Sequence, residues 1–220
     1  MTSMNIDQAR FNMIEQQVRP WDVLDHNVLK VMTEIPRESF VPSQYADLAF
    51  SDVEIPLGHG QVILQPRLEG RIMQSLDIKS DDRILEIGTG CGYMTACLSR
   101  LGDSVVTVDS IEEFSIQAKK NIAAQNISNV SFRVGDAAQG WDQDGPFDVI
   151  AITGSMPKLP KSLKSVLHKQ GRLFVIEGID PVMHAKLITR TTKNDFQEEI
   201  LFESSIPALQ GTNKEEEFVF

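Results

Sequence analysis

A chain of 220 residues with 41% hydrophobic content has room for one filled core with extensions, not for two independent domains. Its formal net charge of -10, with no basic patch, turns away polyanions and excludes nucleic acid as the main partner. The start lacks a basic segment followed by an apolar one, no run is long enough to span a bilayer, and Cys91 and Cys97 support neither a disulfide framework nor a zinc site, so a cytoplasmic chain with no membrane partner is expected.

Residues 6–18 and 23–34 carry apolar side chains at helical spacing (Phe11, Ile14, Val18; Val28, Val31, Met32), and a proline ends each run, Pro20 and Pro36. The stretch Ile55-Pro56-Leu57-Gly58-His59-Gly60 reads as loop or short extended structure, and residues 67–76 resume as helix just after Pro66. From Arg83 the pattern changes to short apolar runs, 84–87, 105–108, 130–134, 149–152 and 173–176, which read as buried parallel strands. Helices are expected between them at 94–101, 111–125 and 160–168, a βαβ series that calls for right-handed crossovers in a doubly wound sheet. Residues 186–192 and 196–204, parted by a turn at Lys193-Asn194-Asp195, read as an antiparallel hairpin closing the sheet edge. The organisation expected is an N-terminal helical extension with a covering loop over residues 1–80 and an α/β core over 81–220. The run Lys214-Glu215-Glu216-Glu217 reads as a solvated tail.

The strongest local signal is Leu85-Glu86-Ile87-Gly88-Thr89-Gly90-Cys91-Gly92-Tyr93, a strand that runs into a glycine turn and opens a helix. Glycines there let the backbone turn sharply and a ligand press on main-chain N–H groups at the helix N-terminus. The dinucleotide fingerprint wants its third glycine one position later, at Tyr93, and a phosphate-binding loop wants a Gly-Lys-Ser/Thr that is absent. Glu86, two residues before the first glycine, instead suits a ligand carrying an ammonium and a sulfonium, the profile of S-adenosylmethionine. Asp109 closes the second strand, where a carboxylate can accept both ribose hydroxyls, and Asp136 follows the third, where it can accept from an adenine amine. Four histidines, His26, His59, His168 and His184, lie in different elements without metal-ligand spacing, so no metal is expected.

Over nearly the whole chain these residues resemble the protein-L-isoaspartate O-methyltransferase family. The resemblance is carried by Arg37-Glu38-Ser39-Phe40-Val41-Pro42, by residues 55–61, by the glycine turn, and by Gly135-Asp136, Gly140-Trp141, Pro146-Phe147-Asp148, Ile152-Thr153-Gly154 and Ile206-Pro207. It implies a class I S-adenosylmethionine-dependent methyltransferase fold, Rossmann-like with a C-terminal antiparallel hairpin. The implied reaction methylates isoaspartyl carboxylates of damaged proteins, the partners expected for a monomer, so that the ester collapses to succinimide and reopens partly as aspartate. The implied cofactor set is Gln61, Glu86, Gly88, Thr89, Gly90, Gly92, Asp109, Ser110, Asp136 and Ala137. The implied acceptor set is His59, Val62, Ile63, Leu64 and Pro66 in the covering loop, with Ile206 and Pro207 holding the substrate backbone.

One departure stands out. The family loop reads Gly-Gln-Thr-Ile-Ser-x-Pro, whereas this chain has Gly60-Gln61-Val62-Ile63-Leu64-Gln65-Pro66, with both hydroxyls gone. Leu64 occupies the position of the serine usually given the catalytic role, so no catalytic residue is assigned. The chemistry tolerates that loss, because an acceptor carboxylate with a pKa near 4 is already ionised at neutral pH and needs no general base. Three readings stay open: isoaspartyl methylation, a different acceptor with the same cofactor, and a binding module that recognises carboxyl groups without turnover.

Overall fold

The computed structural model describes residues 5–212. Helix α1 (Ile6–Met13) continues as a π-helical stretch, Ile14–Val18, and a 3-10 turn, Arg19–Trp21, into which Pro20 brings no N–H donor. Helix α2 (His26–Glu34) starts later than its apolar spacing suggests, because the Asp25 carboxylate caps it by accepting from Val28 N at 2.9 Å. The Gly/Pro-punctuated run is a small antiparallel hairpin, β1 (Ile55–Gly58) and β2 (Gln61–Ile63), and α3 (Pro66–Leu76) follows with proline in its first turn.

The core then unrolls as β3 (Arg83–Ile87), α4 (Tyr93–Leu101), β4 (Ser104–Asp109), α5 (Glu112–Ala124), β5 (Val130–Val134) and β6 (Phe147–Met156). After it come α6 (Lys161–Ser165), β7 (Leu167–Ile179), β8 (Val182–Arg190) and β9 (Phe196–Glu203). One seven-stranded sheet has the order β5-β4-β3-β6-β7-β8-β9, parallel from β5 to β7 and antiparallel from β7 to β9. The chain steps outward from β3 to β5 and then returns to β6 on the other side, so the order reverses between β3 and β6. Ligand clefts form at the carboxyl ends of strands at such a reversal.

Three expectations change. The helix read at 160–168 is confined to Lys161–Ser165, because Leu167 is already paired with Phe147 as the start of β7. Its polar continuation, His168-Lys169-Gln170, is exposed and hid the strand. The terminal hairpin is part of a three-strand meander, since β8 starts at Val182 and pairs with β7 as well as β9. Finally, β5 is a half-exposed edge strand rather than a buried one, with Val134 at 52% exposure. The charge run at 214–217 lies outside the described residues.

Period-two alternation sends Ile84 to one face of the sheet and Leu85 and Ile87 to the other. On the first face Val18, Val28, Met32, Leu68, Ile72 and Met73 pack with Ile84, Val149 and Phe174 in one apolar cluster, so the N-terminal helices are part of that core. This packing fixes α3, and with it the β2–α3 connection, over the carboxyl end of β3.

Candidate active site

Main chain builds the floor of the cleft at the strand ends. Gly88 N donates to the Val108 carbonyl at 2.9 Å, tying the glycine turn to β4. Gly88 has φ of 101°, and a Cβ there would collide with the Thr153 hydroxyl, which donates to the Ile87 and Gly88 carbonyls. Asp109, at the end of β4, is 8% exposed and accepts from Gly90 N and Ile111 N, both at 2.9 Å. Burial pushes the Asp109 carboxyl upward, and the N–H groups of Gly90, Ile111, Thr89 and Ser110 pull it back. Past β5, Asp136 accepts from Ala138 N at 2.9 Å and lies against Gly211 of the C-terminal segment.

Gln61, Gly88, Gly90, Asp109, Ser110, Asp136 and Ala137 line one cleft, of about 50 Å³. The sequence reading had grouped all seven. Leu57, Phe114, Thr153, Leu209 and Gln210 are among the further wall residues, none of them in the sets expected from the sequence, and Val62 of the expected acceptor set lines the cleft as well. Gln61 Nε2 donates to the Ala208 carbonyl at 3.0 Å, and Leu209 N to the Ser155 carbonyl at 2.9 Å, so the hairpin and the C-terminal segment meet over the cleft.

The other three proposed cofactor residues lie elsewhere. Glu86 is 0% exposed beneath the glycine turn, where Oε2 accepts from the hydroxyls of Thr95 and Thr107, the latter at 2.7 Å. Burial raises its pKa to about 8 against the pull of both hydroxyls; it does not line the cleft, and its Oε1 is buried without a partner among the described residues. The Thr89 hydroxyl is turned inward to Thr107, at 2.7 Å. Gly92 packs on helix α5: a Cβ there would meet Ala118 Cβ at 3.0 Å.

A second, smaller cavity of about 40 Å³ opens on the far side of Gly88 and Gly90, under the hairpin. Val62, Ile63 and Leu64 line it together with Glu69, Tyr93, Met94 and Thr153. Leu64 is 5% exposed and belongs both to this wall and to the apolar cluster behind it. Its carbonyl accepts from Arg37 Nη2 at 2.7 Å. Arg37, 0% exposed, also donates from Nε to the Ala49 carbonyl at 2.9 Å, pairs through Nη1 with Glu69, and lies over the Tyr93 ring at 4.7 Å.

Of the remaining acceptor residues, His59 stands at the exposed hairpin tip, its ring 5.7 Å from that of Phe114 on the rim of the cleft. Pro66 lines neither the cleft nor the small cavity; it is buried in the first turn of α3. Ile206 and Pro207 line a separate groove with Glu54 and Ser155, joined to the strand-end cleft through Ala208 and Leu209.

A family model described as protein-L-isoaspartate(D-aspartate) O-methyltransferase matches residues 9–205. Protein-L-isoaspartate O-methyltransferase 1 of Rhodopseudomonas palustris (strain HaA2) is 36% identical over 203 residues, 92% of this chain and 83% of that one. The protein-L-isoaspartate O-methyltransferase of Dictyoglomus turgidum is 37% identical over 178 residues, 81% of each chain. This chain belongs to the protein-L-isoaspartate O-methyltransferase family. A solved protein-L-isoaspartate O-methyltransferase superposes with a TM-score of 0.80 at 24% identity, over 94% of this chain and 66% of that one. The putative family enzyme of Plasmodium falciparum, solved with S-adenosyl-L-homocysteine, gives 0.78 at 19% identity over 94% and 98%. These two likenesses show the fold, that of a class I methyltransferase. Val62 and Leu64, the two loop positions where the resemblance implies hydroxyls, both line the small cavity.

Proposed function

We propose that the protein is an S-adenosylmethionine-dependent carboxyl methyltransferase that methylates isoaspartyl residues of damaged proteins. Family membership supports the activity. The observation that carries it to this chain is the convergence of Gly88, Gly90, Asp109 and Asp136 in one cleft that shares a wall with the cavity under the covering loop. In this reading residues 81–220 hold the cofactor, residues 1–80 supply the cover, and two buried free thiols support a cytoplasmic setting.

The residues fit the cofactor. Asp109 lines the cleft with its carboxylate held by Gly90 N and Ile111 N, and there it would accept the ribose hydroxyls. Asp136 is exposed at the cleft wall with one oxygen on Ala138 N, and the other can accept from an adenine amine. When bound, S-adenosylmethionine supplies a methyl group on a sulfonium, and the sulfur leaves as a neutral thioether. The chain contributes position: Gly88 and Gly90 allow close approach of main chain, and Val62 and Leu64 keep water from the transfer path. No proton needs to move, because the acceptor oxygen arrives ionised.

The test is incubation with labelled S-adenosylmethionine and an isoaspartyl peptide beside its aspartyl twin. Base-labile label is expected on the isoaspartyl peptide alone. Equal labelling of both, or of neither, would sink the acceptor assignment. The apolar wall of Val62, Ile63 and Leu64 favours a different acceptor as the second reading, one that label on another molecule would support.

A further inference from the structure

Resting on that acceptor reading, the small cavity raises a problem of charge. Glu69 is 2% exposed and lines the cavity beside Leu64 and Tyr93. Arg37 is the one recorded donor to its carboxylate among the described residues, through Oε2. Arg37 spends three of its five N–H groups on Ala49, Glu69 and Leu64, and it stands behind the cavity wall rather than lining it, so it is not placed to receive a second carboxylate there. The cavity, at about 40 Å³, has room for a carboxylate-sized group, since a water-sized one takes about 10–15 Å³.

Arg37 and Glu69 together are neutral. An incoming acceptor carboxylate would bring a second negative charge into the cavity that Glu69 lines. Two carboxylates that share such a site do not both stay ionised. We propose that the acceptor carboxylate enters with uptake of one proton from solvent, and that Glu69 carries it, donating to the acceptor the hydrogen bond that the loop no longer offers at Leu64. The acceptor stays ionised and attacks the methyl carbon as the carbon–sulfur bond breaks. Once the neutral ester departs, Glu69 returns the proton to solvent and faces Arg37 as a carboxylate again.

Glu69 is the carboxyl that lines the cavity. Burial already lifts it to about 7, against the pull of Arg37. Burial also pushes the Cys91 thiol up to about 12 and raises Tyr93 and Cys97, so these three keep their protons from roughly pH 6 to 9. Glu86, raised to about 8 and so titrating in the same range, lines neither cavity: Thr95 and Thr107 donate to one oxygen, and the other is buried without a partner among the described residues. Val62, Ile63 and Met94 bring no charge.

The experiment is titration of the isoaspartyl peptide into protein loaded with S-adenosylhomocysteine, by calorimetry in phosphate and in Tris, whose ionisation enthalpies differ. Proton uptake should approach one at about pH 8 and fall towards zero near pH 6, and the KM for peptide should rise about tenfold per pH unit above Glu69's pKa. In Glu69→Gln, whose amide donates without titrating, uptake should vanish and KM should become flat with pH. Equal heats in the two buffers at pH 8, or wild-type uptake in Glu69→Gln, would overturn the inference. If Glu69→Gln does not fold, Glu86→Gln decides: uptake at the wild-type level is expected there, and its loss would overturn the inference. Methylation of the peptide without uptake removes the proton linkage only, whereas absence of methylation removes the acceptor reading and the linkage with it.

Discussion

The strand-end cleft and the hairpin cavity share Leu57, Val62, Gly88, Gly90 and Thr153, yet they are built by opposite means. The cleft is made of main chain and short acids at the carboxyl ends of β3, β4 and β5, so Gly88, Gly90, Asp109, Asp136 and Ala137 all sit within three positions of a strand end. The cavity is walled by side chains of separate segments, among them Leu64, Glu69 and Tyr93, and Arg37 behind them holds all three through the buried ion pair, the Leu64 carbonyl and the Tyr93 ring. The first tolerates change in what surrounds it, since backbone supplies the geometry. The second depends on each partner, because a buried charge without its counterpart has no water to replace it.

That contrast predicts the largest effect at Arg37. Arg37→Met should cost about 3–5 kcal/mol of stability, the usual scale for stranding one member of a buried pair. Arg37→Met combined with Glu69→Leu should cost much less, because no charge is left behind. Urea unfolding of both variants checks this; equal losses would mean that the pair is not what organises the cavity.

Glu86 and Glu69 set the next effect, in pH rather than in sequence. Both carry folded pKa values above the ordinary carboxylate value of 4.5, about 8 and about 7. Between 4.5 and those values the folded chain holds protons that the unfolded chain has released. Their contribution is therefore full below 4.5 and is lost as pH rises through 7 and 8, a fall of the order of a few kcal/mol. Glu86→Gln should flatten the decline in melting temperature between about pH 5 and 8, leaving the part due to Glu69. An unchanged slope would place the Glu86 pKa near its ordinary value.

The difference between the two regions also explains what the sequence could and could not disclose. Apolar runs of four to six residues mark buried strands wherever both faces are covered, which made β3, β4 and β6 legible, and the acids after β4 and β5 came with them. Glu86 was legible as an unusual residue but not in its role, because its partners Thr107 and Thr95 are chosen by strand register and helix placement. Glu69 did leave a signal: it lies three, four and seven positions before Ile72, Met73 and Leu76, on the buried stripe of α3. A charged residue on an apolar stripe demands a buried partner. That the partner is Arg37, far back in the chain, follows only from the packing of the N-terminal turns on α3.

Leu64 stands on the border between wall and core. Leu64→Ser should lower stability by about 2–5 kcal/mol, the range for the related change to alanine at a buried site. It should also raise isoaspartyl methylation by about tenfold, the scale of one added hydrogen bond. The gain should be largest above pH 7, where Glu69 holds a proton least readily. Lost stability with no gain at any pH would make Leu64 a packing residue alone.

Asp109→Ala tests the cleft without touching the cavity. Loss of hydrogen bonds to a charged acceptor, about 1.5–3 kcal/mol, should weaken S-adenosylhomocysteine roughly 10- to 100-fold by calorimetry. Unchanged affinity would withdraw Asp109 from the cofactor set.

The smallest effect separates two glycines of one turn. Gly88 lines the cleft, whereas Gly92 has φ of 86° and presents its α-carbon to Ala118 on α5. A methyl group at Gly92 would meet Ala118 Cβ at 3.0 Å and its Cα at 3.3 Å, and the backbone would still need a left-handed conformation. Left-handed geometry costs an L-residue about 1–2 kcal/mol, and relief by moving α5 would draw Phe114 and Ile111 away from the cleft rim. The turn is tied to β4 through Gly88 and to Asp109 through Gly90, both upstream of Gly92, so the strain should be taken up by α5 rather than by the cleft floor. Gly92→Ala is therefore expected to lower the melting temperature by a few degrees while leaving affinity for S-adenosylhomocysteine within about twofold. A fall in affinity as large as that of Asp109→Ala, at unchanged stability, would return Gly92 to the cofactor set where its spacing first put it.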